Sequence, residues 1–218
     1  MKFWLVVPAA GSSQRFGGDQ PKQFLCIDGI SVLTHTLNRF LSHPDLLGVQ
    51  VVLPQGQSAP DDLPSDSRIQ SCTGGDTRRD SVLAGCQALT HRGAADTDRV
   101  LVHDAARPLL PRADIDALLQ ALTQSAAYLV APVADTLRDH QGQTLDRDGI
   151  HRVLTPQGAE LAQMIQALEQ GPQGLTDEAA YLLQAGVETQ AVVGDGINQK
   201  ITWPRDLALA QALMSEVT

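Results

Sequence analysis

The chain has 218 residues, 43% of them hydrophobic and 19% charged, with a formal net charge of -9. That length supports one well-filled core, and the composition is that of an ordinary globular protein. The acidic balance speaks against binding DNA, RNA or an anionic membrane through a broad basic face, and no apolar run approaches the ~20 residues of a membrane span. Small anions remain within reach, because a site for them needs only a few well-placed cations. Cys26, Cys72 and Cys86 form no C-x-x-C pair, which reads as reduced thiols and not as a disulfide frame or a zinc site. Met1 leads almost directly into the first apolar run, leaving no room for a signal peptide, so a cytoplasmic protein is expected.

In chain order, "FWLVV" (3–7) reads as a buried strand. A loop of small residues follows. Ala9, Ala10 and Gly11 let a ligand approach the backbone closely, and exposed N–H groups there can form an anion-binding concavity. Arg15 and Lys22 add a planar fork and a mobile ammonium, both suited to phosphate oxygens; a solvated loop with incidental charges is the competing reading. Neither the P-loop spacing nor G-x-G-x-x-G is present. "VQVVL" (49–53) is a second strand. "GGDTRRDSVLAG" (74–85) then carries Gly75, Asp76 and Ser81 into a helix that includes Val82, Leu83, Cys86 and Leu89. A carboxylate and a hydroxyl at such a junction either read the edge of a base or serve as ordinary caps.

The strand "RVLVH" (99–103) runs into "HDAARP" (103–108). Asp104, directly after a strand, can hold Mg²⁺ against substrate phosphates, with Arg107 close by. His103 reads as strand-end packing more than as a base. Ile115, Leu118, Leu119 and Leu122 mark a helix, and "YLVAPV" (128–133) a strand. Residues 134–156 alternate polar and apolar around a Gly-rich middle. That predicts a hairpin too polar for the centre of a sheet, hence a projecting arm of the kind a partner subunit buries; a homodimer is expected. "TDEA" (176–179) offers an N-cap and first-turn acids. "TQAVV" (189–193) is a strand, Lys200 is placed at the edge of another, and Pro204 opens a last helix through Leu207, Ala210, Leu213 and Met214. Alternation of apolar strands with helices predicts an α/β fold, a Rossmann-like mainly parallel sheet with helices on both faces, in one domain over 1–218 with 134–156 as the arm. Ligands of such sheets bind beyond the carboxyl ends of the strands.

Together, "VVPAAG", "RFG", "PKQF", "GGDTRRDSVLAG", "VHDAARP", "APVADTLR", "LTPQ", "TDEA" and "NQKIT" resemble the 2-C-methyl-D-erythritol 4-phosphate cytidylyltransferase family of the non-mevalonate isoprenoid route. The resemblance implies transfer of CMP from CTP to 2-C-methyl-D-erythritol 4-phosphate with release of pyrophosphate, aided by Mg²⁺ or another divalent cation. It implies that Ala9, Ala10, Gly11, Gly75, Asp76, Ser81, Asp104 and Ala105 form the CTP site, and that Arg15 and Lys22 stabilise the transition state. Asp104 would hold the metal. Arg107, Thr155, Thr176 and Lys200 would orient the acceptor, while Thr136 and Arg147 on the arm would reach the partner subunit's site. Ser13 stands where the family often has Gly, and the run before Lys200 departs from the family pattern, leaving the role of Asp195 open. The chain is too short for the fused cyclase domain of some relatives. A ribitol-5-phosphate cytidylyltransferase and a catalytically silent nucleotide-binding module are the alternatives; a dinucleotide-dependent oxidoreductase lacks its glycine fingerprint.

Overall fold

In the computed structural model the described residues are 1–11, 16 and 20–217. Strand β1 (Phe3–Pro8) sends Phe3, Leu5 and Val7 into one core and Val6 into the other, as side chains of period two must when both sheet faces are covered. Two short strands, β2 (Cys26–Ile27) and β3 (Ile30–Ser31), pair antiparallel and lead into α1 (Val32–Leu41), which Ser31 caps through the Thr34 N–H. Then come β4 (Leu46–Leu53), β5 (Ile69–Thr73), α2 (Arg78–His91), β6 (Arg99–Val102), α3 (Arg112–Ala121) and β7 (Ala126–Pro132). The chain finishes with β8 (His151–Glu160), α4 (Leu161–Gln170), α5 (Glu178–Gln184), β9 (Thr189–Val193) and α6 (Pro204–Leu213).

The seven-stranded sheet runs in the order β5-β4-β1-β6-β8-β7-β9. All its neighbouring pairs are parallel except those of β8, which lies antiparallel to both β6 and β7. Leu33, Leu37 and Phe40 of α1 and Ile115 and Leu118 of α3 fill one face. Val82, Cys86 and Leu89 of α2, with Met164 and Leu168 of α4, fill the other. The expected α/β architecture is present. Among the described residues no helix is long and apolar enough to cross a membrane.

β8 corrects the sequence reading. The sequence pattern predicts an arm over 134–156, but 151–156 belong to an interior strand of the sheet. Its polar residues enter the core because each finds a partner: Gln157, 1% exposed, donates to the Leu154 carbonyl at 3.1 Å and accepts from the Ala179 N–H at 2.6 Å. Buried polar groups so satisfied carry little penalty. What projects is the shorter segment 133–150, mostly exposed and closed around Gly142 by the Leu145 N–H to Leu137 carbonyl bond and the Arg138–Thr144 bridge. Two further differences are local. The cap of α5 is Asp177, not Thr176, since its carboxylate accepts the Ala180 N–H; and Lys200 lies in irregular chain, not in a strand.

Candidate active site

The parallel strands β1, β4, β5 and β6 end on one side of the sheet, and the loops that leave β1, β5 and β6, with the chain at Lys200, line a cleft of about 580 Å³. Ala10, Gly11, Lys22, Gly75, Asp76, Ser81, Asp104, Ala105 and Lys200 line it. Four stretches far apart in the chain therefore meet where an open α/β sheet places its ligand.

The first loop is anchored at both ends. Ala9 donates its N–H to the Val52 carbonyl at 2.8 Å. Gln23, 3% exposed, donates from Nε2 to the carbonyls of Ala9 (2.6 Å) and Gly11 (3.1 Å). Those carbonyls turn inward as a result. Lys22 opens a single 3₁₀ turn after Pro21 and faces the cleft. Arg15 and Ser13 lie outside the described residues.

In the second loop the capping of α2 falls to residues other than Asp76 and Ser81. Thr77 is the N-cap of α2 and Asp80 its reciprocal partner, with both bonds of the capping box formed. Ser81 is buried and donates to the carbonyls of Thr77 (3.0 Å) and Gly75 (3.3 Å), fixing the loop's curvature. Asp76 takes no part in capping and is exposed at the cleft rim.

The third loop contains the charged centre. Asp104, 6% exposed, accepts from Arg78 at Oδ1 (3.1 Å) and from Lys200 (2.9 Å) and Arg107 (3.3 Å) at Oδ2. Burial opposes its charge, but Arg78, Lys200 and Arg107 together outweigh it and hold the carboxyl well below the usual carboxylate range. Beneath it His103 is fully buried, and that burial pushes its imidazole down to about 4. The neutral ring has one tautomer consistent with its partners. Nε2–H donates to the Arg107 carbonyl (3.1 Å) and Nδ1 accepts the Thr155 hydroxyl proton (3.0 Å). Thr155 Oγ1 also accepts the Asp104 N–H at 3.1 Å. Asn198 completes the ring: its Nδ2 donates to the Thr155 carbonyl at 2.7 Å, and its own carbonyl accepts from Arg107 at 2.8 Å. Asp104 and Arg107 are thus held from behind by a closed set of bonds.

Not every expected residue joins the cleft. Thr155 is 3% exposed with its hydroxyl committed to His103 and Asp104, and Arg107 stands behind Asp104. Thr176 is exposed and donates to Asp177 at 3.1 Å. Thr136 and Arg147 sit on the arm, where Arg147 donates to the Ala134 carbonyl. Asp195 accepts from the Ile197 N–H and gives its own N–H to Asp114, which makes it part of the loop's scaffold.

The residues overlooked in the sequence are Arg78, Glu178, Gln23 and Asn198. One signal was available for the first. Arg78 is the opening residue of α2, where the helix dipole disfavours a cation, so an arginine there asks for nearby carboxylates. It has two, Asp104 and Glu178.

As to a metal, among the described residues no group of three His, Cys, Asp or Glu side chains could hold one alone. A single ionised carboxylate facing a phosphate-sized cleft is what Mg²⁺ uses when substrate phosphates and water supply its other ligands. Asp104 fits that role.

The family model for 2-C-methyl-D-erythritol 4-phosphate cytidylyltransferase (IspD) matches residues 3–216. A protein of that name from Ectopseudomonas mendocina is 45% identical over 224 residues, covering 95% of this chain and 93% of that relative. One from Acidithiobacillus ferrooxidans is 39% identical, covering 98% and 97%. The crystal structure of the Thermus thermophilus protein of that name superposes with a TM-score of 0.82 at 33% identity, covering 99% of this chain and 100% of that one. With the cleft, its cations and its buried carboxylate in hand, these likenesses establish that the chain belongs to the 2-C-methyl-D-erythritol 4-phosphate cytidylyltransferase family.

Proposed function

We propose that this chain transfers CMP from CTP to 2-C-methyl-D-erythritol 4-phosphate and releases pyrophosphate, as a step of isoprenoid precursor synthesis. The observation that carries the proposal is the meeting of Arg78, Lys200 and Arg107 on Asp104 in a cleft that Lys22 and two small-residue loops also line. Such a cleft suits a triphosphate.

In the reaction an oxygen of the acceptor's phosphate forms a bond to the α-phosphorus of CTP, and the bond from that phosphorus to the bridging oxygen of pyrophosphate breaks. The attacking phosphate is already ionised, so no general base is needed. Catalysis is then positioning and charge stabilisation. Ala10, Gly11, Gly75, Asp76, Ser81 and Ala105 would receive the cytidine, with Ala9 shaping that loop from behind. Lys22, with Arg15, would act on the charge that builds on the departing pyrophosphate. Asp104 would hold Mg²⁺, which when bound neutralises part of the phosphate charge. Lys200 would orient the acceptor, and Arg107, Thr155 and Thr176 would serve the same end, the first two from beneath the cleft floor. Thr136 and Arg147 would act across a homodimer, supported by the arm's exposure together with Leu145, Ile150 and Val153 at 41, 36 and 44%; apolar groups in such a setting suit an interface. The free thiols of Cys26, Cys72 and Cys86 support a cytoplasmic setting.

Pyrophosphate release, followed with CTP, Mg²⁺ and either 2-C-methyl-D-erythritol 4-phosphate or ribitol 5-phosphate, tests the reading. Turnover with the first acceptor and near-background rates with the second are expected; the reverse preference overturns it.

A further inference from the structure

Arg78 divides its guanidinium unequally between two carboxylates. Toward Glu178 it presents a full fork, with Nη1 to Oε1 at 2.5 Å and Nη2 to Oε2 at 3.0 Å. Toward Asp104 it offers Nε (3.3 Å) and Nη2 (3.1 Å), both to Oδ1 alone. Paired two-oxygen contact is the preferred geometry of an arginine with a carboxylate, and Glu178 has captured it. Asp104 Oδ2 is left to Lys200 and Arg107.

Glu178 is built to hold that position. It is 1% exposed, opens α5, and is followed by Ala179, whose N–H is tied to Gln157 of β8. Its backbone is thereby fixed, and its buried carboxylate has little room to follow Arg78. Lys200 differs: its side chain is a third exposed, and its ammonium ends a flexible four-carbon stem and, among the described residues, makes one ion pair, at 2.9 Å. One cation at Asp104 is thus clamped and another can exchange.

We propose that Glu178 is a positioning residue that keeps the Arg78 fork from closing over both oxygens of Asp104, so that Oδ2 stays available to an exchangeable cation, Lys200 in this state and a divalent ion when nucleotide is bound. The proposal rests on the functional reading above for the role of the metal, and on the Arg78 geometry for the role of Glu178. Without the acid, the fork swings to Asp104 and competes with the metal.

The test is direct metal binding, with Mn²⁺ as a paramagnetic probe, in the presence of a CTP analogue that cannot be cleaved between the α- and β-phosphates. Glu178→Gln is expected to raise the Mn²⁺ dissociation constant about tenfold, equivalent to ~1.4 kcal/mol, and Glu178→Asp by an intermediate factor. Removing the competing fork as well, in Glu178→Gln/Arg78→Met, should return Mn²⁺ affinity to that of Arg78→Met alone, a non-additivity of neighbouring groups. A purely structural acid would lower the unfolding midpoint and leave Mn²⁺ affinity unmoved. Wild-type Mn²⁺ affinity in Glu178→Gln, or the same loss with and without Arg78, overturns the inference. Should Glu178→Gln fail to fold, Glu178→Asp decides on the same criterion. A wild-type enzyme that binds Mn²⁺ and CTP but releases no pyrophosphate with the acceptor would instead sink the functional reading, and the binding comparison would still judge Glu178.

Discussion

Two glycines that would meet similar obstruction stand at different distances from the cleft, and replacing each by alanine separates strain from function. A Cβ at Gly74 would lie 2.7 Å from Ser81 Oγ, 2.9 Å from the Ala10 Cβ and 3.1 Å from Val52, against 3.4–4 Å for ordinary contact. A Cβ at Gly85, on α2, would lie 2.6 Å from Val6 and 2.8 Å from Val52. Relief in either case takes shifts of roughly half an ångström to one ångström, and overpacking of this kind costs typically ~1–3 kcal/mol. For Gly74 the atoms that must move include Ser81 and Ala10, in the two loops that line the cleft and are proposed to receive the cytidine. Misplacement on the ångström scale costs on the order of 10²-fold in rate. Gly74→Ala should therefore lose stability and weaken CTP binding by about 10- to 100-fold, while Gly85→Ala loses comparable stability and binds CTP within about twofold of wild type. Urea unfolding gives the stabilities and calorimetric titration with CTP the affinities. Equal CTP affinity in the two variants, whether both are impaired or neither, would refute the proposed assignment of Ala10 and Ser81, the residues a Cβ at Gly74 would displace, to the nucleotide site.

Lys22→Ala removes a donor proposed to act on the developing charge, and a drop of ~10²–10³ in turnover is expected with the circular-dichroism spectrum unchanged; wild-type turnover would end the role given to Lys22. If arm residues serve the partner's cleft, Lys22→Ala and Arg147→Ala chains, each inactive alone, should regain about a quarter of wild-type activity when refolded together, because half the dimers carry one intact site. No recovery would place Arg147 outside the reaction or in its own subunit's cleft. Salt titration separates local from global charge. Arg78, Arg107 and Lys200 against Asp104 and Glu178 leave one net positive charge at the cleft floor, in a chain whose total is -9. If the local field governs, the KM for CTP rises with ionic strength; if the whole-chain charge governs, it falls.

The strands that could be read from the sequence were those whose burial leaves an unbroken apolar run, such as Phe3–Val7 and Val49–Leu53. β8 escaped because its burial is purchased with hydrogen bonds: Thr155 and Gln157 are interior yet polar, and no hydropathy pattern reveals partners supplied by His103 and Ala179. β5 escaped for a related reason, being an edge strand with only Ile69 and Cys72 half-buried. At the site the same division holds. Asp104 stands out locally as a lone acid after a strand, whereas Lys200 reads alone as a solvent charge and gains its meaning only from the family resemblance. Glu178 was not legible, since its meaning depends on Arg78, 100 residues away, and the sequence alone reads it as one of the first-turn acids of α5.

That dependence bears on how the centre works. A carboxylate ringed by three cations is poorly disposed to accept a fourth unless one of the three can leave. Desolvation makes the surviving contacts strong, so the identity of the leaving cation has to be decided by geometry. Arg107 is tethered through its own backbone to His103 and through its side chain to Asn198. Arg78 is forked to a buried acid. Lys200 makes, among the described residues, one ion pair, to Asp104, on a partly exposed stem. Substrate phosphates entering the cleft as proposed would also be the ligands best able to draw an ammonium away. On the proposed function, loss of the Lys200 contact and arrival of the nucleotide would be parts of one exchange, in which the charge near Asp104 is replaced and not merely increased.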